Sequence, residues 1–272
     1  MEKVLIASPV NQHPMILEQF AVSLLNLDTR EVNPSFLFID DNPQKESSAI
    51  LLRLARQLRG EIHSGMSPPD DYRGEVKHRW TSGRIFKVAN FRNSILTYAR
   101  ENNFDALLMV DSDLMLHPRT LSHLMEQQKD IISEIYWTSW IPGGQPFPQV
   151  WLWDNYTQYT PDDEAIPNLK TMNQRIKVFH DQLHQPGIYK VGGLGGCTLM
   201  GRAVLESPVS FSKVPNLSFL GEDRHFCVRA SVYGFELFVD TCYPAVHLYR
   251  LSELPQWEDI KKSWCYTVSL MK

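Results

Sequence analysis

The chain has 272 residues, of which 43% are hydrophobic and 21% charged, and a formal net charge of −4. That length can bury a substantial core as one large α/β domain or two small ones. The mildly acidic balance leaves no electrostatic footprint for nucleic acid or for an anionic membrane surface.

The chain opens on KVLIAS (3–8), a short apolar run with an acid just before it at position 2, unlike the basic start of a secretory signal. PMILEQFAVSLLNL (14–27) spaces Ile16, Leu17, Phe20, Leu24 and Leu27 as a helix would, with Pro14 in its first turn. SFLFIDD (35–41) reads as the second strand, QKESSAILLRLARQL (44–58) as an amphipathic helix stopped at Gly60, and EIHSGM (61–66) as a short third strand. The polar loop SPPDDYRGE leads to a helix over 88–103. DALLMVDSD (105–113) is non-alternating and therefore a strand buried on both faces. A helix over 118–128 and a strand over 130–137 follow. This β-α-β-α order predicts a mainly parallel sheet flanked by helices, with ligands beyond the carboxyl ends of the strands.

The second half is less regular. Residues 137–170 are rich in aromatics and prolines; Trp137, Trp140, Trp151 and Trp153 could stack on a ring-shaped ligand, but core packing accounts for most of them. YKVGGLGGCTLMGRAVLE (189–206) reads as a glycine-interrupted strand turning into a helix. Gly192, Gly193, Gly195 and Gly196 suit close backbone approach or positive φ, and the segment lies too far downstream to be a dinucleotide loop. A helix from Glu222 to Tyr233, closed by Gly234, precedes a last strand. Cys197, Cys227, Cys242 and Cys265 form no CxxC pair, which favours reduced thiols in a cytoplasmic protein over disulfides or a zinc site. No apolar run approaches the roughly 18 residues of a bilayer span, so no integral membrane segment is expected and membrane association would be peripheral.

Several acids sit where chemistry would be done. Asp111 and Asp113 follow four apolar residues, where ionised carboxylates face either solvent at a tight turn or a shared cation. Asp40 and Asp41 close the second strand, and could equally form an Asx-type turn into Asn42-Pro43. Arg92 and Asn93, with Lys87 and Asn90, form either a phosphate-binding group or a solvated basic helix face. Glu222 and Asp223 start a helix, where the dipole alone favours acids.

A strand followed by DSD, a later GED at a helix start, and a lone His247 after YPAV together resemble the GT-A glycosyltransferases, most nearly the large family 2 type, over residues 3–250. The resemblance implies one Rossmann-like α/β domain over 1–272, with a nucleotide-sugar-binding half (1–137), an acceptor-side half (138–250) and a C-terminal extension (251–272). It implies a nucleotide-diphosphate-sugar donor, an Mn²⁺ or Mg²⁺ ion, and a carbohydrate or other hydroxyl-bearing acceptor, with no nucleic acid as partner. Asp113 would then ligate the metal, with Asp111 and Ser112 at the ribose or the metal shell. Asp41 or Asp40 would hold the nucleobase, and Asn11 with His13 the nucleoside. Lys87, Asn90, Arg92 and Asn93 would reach the base, ribose or diphosphate. Asp223 would be the general base of an inverting transfer, Glu222 would bind acceptor or orient that base, and His247 would touch the diphosphate or the metal. Rival readings are a retaining enzyme of the Anp1 mannosyltransferase type, a sugar-nucleotide nucleotidyltransferase lacking its usual phosphate loop, and an inactive carbohydrate-binding relative.

Overall fold

Alternating apolar runs and amphipathic segments fold as successive strands and helices. The computed structural model describes residues 1–65, 78–153, 155–161, 168–218 and 221–271. In chain order the elements are β1 (Glu2–Val10), α1 (Pro14–Leu25), β2 (Val32–Asp40), α2 (Lys45–Leu58), β3 (Glu61–Ser64), α3 (Ser82–Glu101), β4 (Ala106–Val110), β5 (Leu114–Met115) and α4 (Thr120–Glu126). They continue with β6 (Ile131–Thr138), β7 (Phe147–Pro148), α5 (Leu169–Leu183), β8 (Ile188–Val191), β9 (Cys197–Gly201), α6 (Arg202–Glu206), α7 (Glu222–Val232), β10 (Leu237–His247) and α8 (Leu254–Ser263). The polar loop expected at 67–75 lies outside the described residues.

The strands form one sheet in the order β3-β2-β1-β4-β9-β6-β10-β5, with β7 on β6 and β8 on β10. Strands β3, β2, β1 and β4 are mutually parallel, and β6 and β10 are parallel to each other. Strand β9 enters antiparallel between β4 and β6, so the two parallel groups point the same way. The result is a single α/β domain with a mixed, mostly parallel sheet. Its carboxyl-end rim collects the ends of β1, β2 and β4, along which the acids fall.

Both faces of the sheet are buried. In β1, Val4 and Ile6 pack with α1 and α2, while Leu5 and Ala7 pack against α3 on the other side. This two-sided burial explains why the strand runs lack alternation. Helix α3 starts six residues earlier than the apolar periodicity suggests. The Thr81 side chain caps it by accepting from Arg84 N at 3.2 Å, and Gly83 in the first turn conceals the helical signal. Helix α5, with Leu169, Met172, Ile176, Phe179 and Leu183 at helical spacing, had no counterpart among the expected elements; of these it buries Phe179 and Leu183.

Residues 251–271 fold back onto the first half. Trp257 of α8 is fully buried and its Nε1 donates to Gln19 Oε1 at 3.0 Å. Further on, Asn26 Oδ1 accepts from the backbone of Thr267 and Val268, and Gln57 holds Ser269 and Met271. This strap closes over α1 and α2. Because Trp257 is the one side chain of α8 that is fully buried, Trp257→Ala should cost about 3–5 kcal/mol in urea unfolding. A cost under about 1 kcal/mol would mean the strap is not part of the cooperative core.

Candidate active site

A cleft of about 690 Å³ opens along the carboxyl-end rim. One end is set by β1 and β2. Asn11 Nδ2 donates to the Asp41 backbone carbonyl at 2.7 Å and to its Oδ2 at 3.2 Å. Lys87 Nζ lies 2.5 Å from Asp41 Oδ1, and Arg84 stands 3.7 Å from Oδ2. Asp40 turns elsewhere: its Oδ1 accepts from Asn42 N and Nδ2, making the Asx-type turn. Of the two acids, Asp41 therefore faces the cleft. His13 also acts locally, accepting from Met15 N as the N-cap of α1.

The centre is a group of acids around one guanidinium. Arg92 of α3 is only 4% exposed. Its Nη2 donates to Asp111 Oδ1 at 2.7 Å, its Nη1 to Asp223 Oδ1 at 2.5 Å, and its Nε lies 3.5 Å from Glu222 Oε1. The sequence suggested a phosphate contact for Arg92; here its fork is taken up by carboxylates, and a bidentate phosphate contact would require breaking these pairs. Asn93 also departs from that expectation. Its side chain turns away to tie residues 211–212 to α3, accepting from Phe211 N at 2.8 Å and donating to Ser212 Oγ at 3.0 Å. Asn90 does not line the cleft, whereas Ser112 does.

The acids open onto cleft water, with 32% of the Asp111 and 26% of the Asp223 side chain exposed. Burial at the cleft floor, partly offset by Arg92, still pushes Asp223 up to about 8, and Glu222 and Asp111 add to the rise. Asp111 is pushed up to about 6 by burial, again against Arg92, with Asp113 contributing. Burial holds the Arg92 guanidinium back, yet the three acids win and raise its pKa.

At the other end Asp113 faces His247, Oδ2 to Nε2 at 3.3 Å, while Thr138 Oγ1 pairs with His247 Nδ1 at 2.7 Å. Burial opposes both charged forms, but the pairing prevails, so Asp113 lies below and His247 above its ordinary value. The spacing of 3.3 Å is close to the ~3 Å between adjacent ligands of an octahedral ion with bonds of about 2.1 Å. Two carboxylates and an imidazole make a donor set suited to Mn²⁺ or Mg²⁺. Of these, Asp113 and His247 stand at ligand spacing from each other, whereas Asp111 Oδ1 accepts from Arg92.

The glycine-rich stretch packs against this group. A Cβ on Gly195 would collide with the Asp223 carboxylate, and one on Gly196, at φ +75°, with the Tyr136 ring. Asp111 N donates to Gly196 O at 2.7 Å, fixing the DSD turn to β9. The aromatic residues divide between core and rim. Trp151 is buried and lines the cleft, Trp137 stacks on His184 at 4.4 Å, while Trp140 and Trp153 are exposed. Trp153 is exposed because residues 151–153 form isolated bridges rather than a continuous strand. The sequence reading missed Arg84, Tyr136 and Tyr249 in the cleft wall. The Thr81 cap was the one signal that could have brought Arg84 onto the helix.

This is the GT-A glycosyltransferase fold. Among solved structures the chain is similar to the mannosyltransferase PcManGT from Pyrobaculum calidifontis in complex with GDP-Man and Mn²⁺. The identity is 10% and the TM-score 0.55, over 94% of this chain and 59% of that one. It is similar also to S. aureus TarS 1–349 in complex with UDP, at 16% identity and a TM-score of 0.55, over 95% of this chain and 63% of that one. The chain thus spans about three fifths of the length of these structures. No family model matches the sequence, and no curated protein matches it. Among the described residues no helix is long and apolar enough to cross a membrane.

Removing the central cation should expose the repulsion it offsets. Arg92→Leu leaves three carboxylates facing one another, and measured with chelator at pH 8 it should cost about 2–3 kcal/mol. That is less than for a fully buried pair, because the acids reach water. Groups whose folded pKa is raised give stability below their unfolded value and lose it as pH rises through the folded one. The cost should therefore shrink between pH 8 and pH 5, as Asp223 and Asp111 take up protons. Equal costs at both pH values would show that the acids are not held together by Arg92.

Proposed function

We propose that the chain is a metal-dependent glycosyltransferase of the family 2 type. It moves one sugar from a nucleotide-diphosphate donor to a hydroxyl-bearing acceptor with inversion. The observation that carries this reading is the placing of two chemically distinct carboxylate groups in one cleft. Asp113 pairs with His247 at one position, and Asp223 stands beside Arg92 at another. A donor-side cation site and an acceptor-side base are what such a transfer requires. The neighbours lend support, since one was solved with GDP-Man and Mn²⁺ and the other with UDP.

In this reading the nucleoside lies at the Asn11–Asp41 end, where Asp41, paired with Lys87 and Arg84, accepts from a base N–H. Asp113 and His247, with Asp111 beside them, hold the divalent ion. When bound, that ion neutralises charge on the diphosphate leaving group. Asp223 takes the proton of the attacking hydroxyl. A carboxylate lifted to about 8 is a far stronger base near neutral pH than an ordinary aspartate, which suits the role. Arg92 holds its Oδ1, and Oδ2 lies beside Gly195, so the carboxylate is kept in one orientation. Glu222 braces Arg92 from its Nε side and is the nearest candidate for an acceptor contact.

Asp223→Asn keeps the side-chain size and its hydrogen-bonding reach but cannot take the proton. Its kcat should fall by about 10²–10⁴-fold with donor affinity near wild type. NMR of the wild-type product should show the anomeric configuration inverted relative to the donor. Near-normal turnover, or retention, would remove Asp223 from the role of base.

Asp113→Ala tests the metal assignment separately. In transfer assays run over a range of Mn²⁺ concentrations, activation by Mn²⁺ should vanish along with turnover. A variant that Mn²⁺ still activates at the wild-type midpoint would rule out Asp113 as a ligand.

A further inference from the structure

A second cluster lies away from the cleft, on the face of the sheet covered by α1, α2 and α4. Glu134 of β6 and Asp240 of β10 are direct partners in the parallel pairing, so their side chains project to the same face. Both residues are wholly buried. Two acids side by side in a core repel one another, and a buried acid needs a partner. Asp240 Oδ1 accepts from Cys242 N at 2.6 Å, while its Oδ2 lies 2.8 Å from His123 Nε2 of α4 without a well-aligned donor. Both Glu134 oxygens likewise meet no well-aligned donor among the described residues, with the backbone of Ile135 and Tyr243 near them. Burial first, and the Asp240 charge second, push Glu134 well above the usual carboxylate range. Cys242 completes the group. One donor atom each from His123, Asp240 and Cys242 falls within 4.8 Å of the others.

We propose that His123, Asp240 and Cys242 ligate a structural Zn²⁺ ion beside the buried Glu134. An imidazole, a carboxylate and a thiol gathered around one point fit Zn²⁺, which accepts nitrogen, oxygen and sulfur in a tetrahedral shell. Mn²⁺ and Mg²⁺ favour oxygen donors and have no call for the thiolate. The outward nitrogen of His123 faces Glu126, 3.6 Å away, in the place of the outer carboxylate that commonly orients a ligating imidazole. The ion would offset the Glu134–Asp240 repulsion. It would also clip α4 to β10 at the point where the β6–β10 register breaks, between Asp240 and Ala245. The same strand then carries His247 into the cleft. The proposal is independent of the transferase reading, since none of its residues lines the cleft.

The test uses the full chain, stripped of metal and titrated with Co²⁺, whose thiolate complexes absorb in the near ultraviolet. One equivalent should produce the thiolate band, and Zn²⁺ should displace it. Asp113→Ala should keep the band, because the cleft holds no thiol, and Cys242→Ser should lose it. Zn²⁺ should raise the melting temperature of wild type and Asp113→Ala but not of Cys242→Ser. His123→Gln, a change at a half-buried position, should weaken Zn²⁺ binding at least about tenfold. No thiolate band in wild type, its persistence in Cys242→Ser, or unchanged Zn²⁺ affinity in His123→Gln would each overturn the proposal. Any of them would leave His123 and Asp240 as a plain ion pair.

Discussion

The cleft depends on the charge balance around Arg92. Asp111 arrives on the end of β4, and Glu222 and Asp223 arrive on the first turn of α7. Carboxylates converging at a cleft floor repel one another and resist ionisation. A single guanidinium from α3, with its planar fork of donors, meets all three. Without it the three elements would have no electrostatic reason to stand together. The same balance leaves Asp223 raised and Asp111 moderately so, while Asp113, paired with His247, stays low. Acids of nearly identical chemistry thus acquire different proton affinities from their surroundings.

The fold makes this convergence possible by contact at zero clearance. Strand β9 runs against β4 in the opposite sense, which brings the preceding glycines to the rim beside the DSD turn. At Gly195 and Gly196 any side chain would strike Asp223 or Tyr136. The irregular pairing of β10 on β6 brings His247 alongside Leu114, within reach of Asp113. The site is therefore held by the sheet's one reversed central strand and its one broken register, not by loops alone.

Much of this was legible in the sequence. The order of strands and helices through residue 138, the DSD turn at a strand end and the acids at the start of α7 all follow from local patterns. What was not legible depended on distant pairing. Nothing local to Arg92 says that its partners are acids 19 and 131 positions away rather than a phosphate. Asn93 is one residue along the same helix, and helical geometry turns it some 100° away, toward residues 211–212. Helix α5 was legible in principle, since Leu169, Met172, Ile176, Phe179 and Leu183 recur at helical spacing, whereas the C-terminal strap is fixed mainly by Trp257 and by polar contacts to distant residues. The cluster of His123, Asp240 and Cys242 draws its donors from a helix and a strand far apart in the chain, so no spacing motif could announce it.

The central claim is that the acids of the cleft serve a cation that carries a nucleotide diphosphate. Calorimetric titration of the wild-type chain with UDP and with GDP, each in Mn²⁺ and in chelator, tests it most directly. The account predicts saturable binding of at least one nucleotide in Mn²⁺, weakened a hundredfold or more in chelator, which is about 2.7 kcal/mol at 25 °C. Binding of equal strength in both conditions, or of neither nucleotide in Mn²⁺, would contradict it.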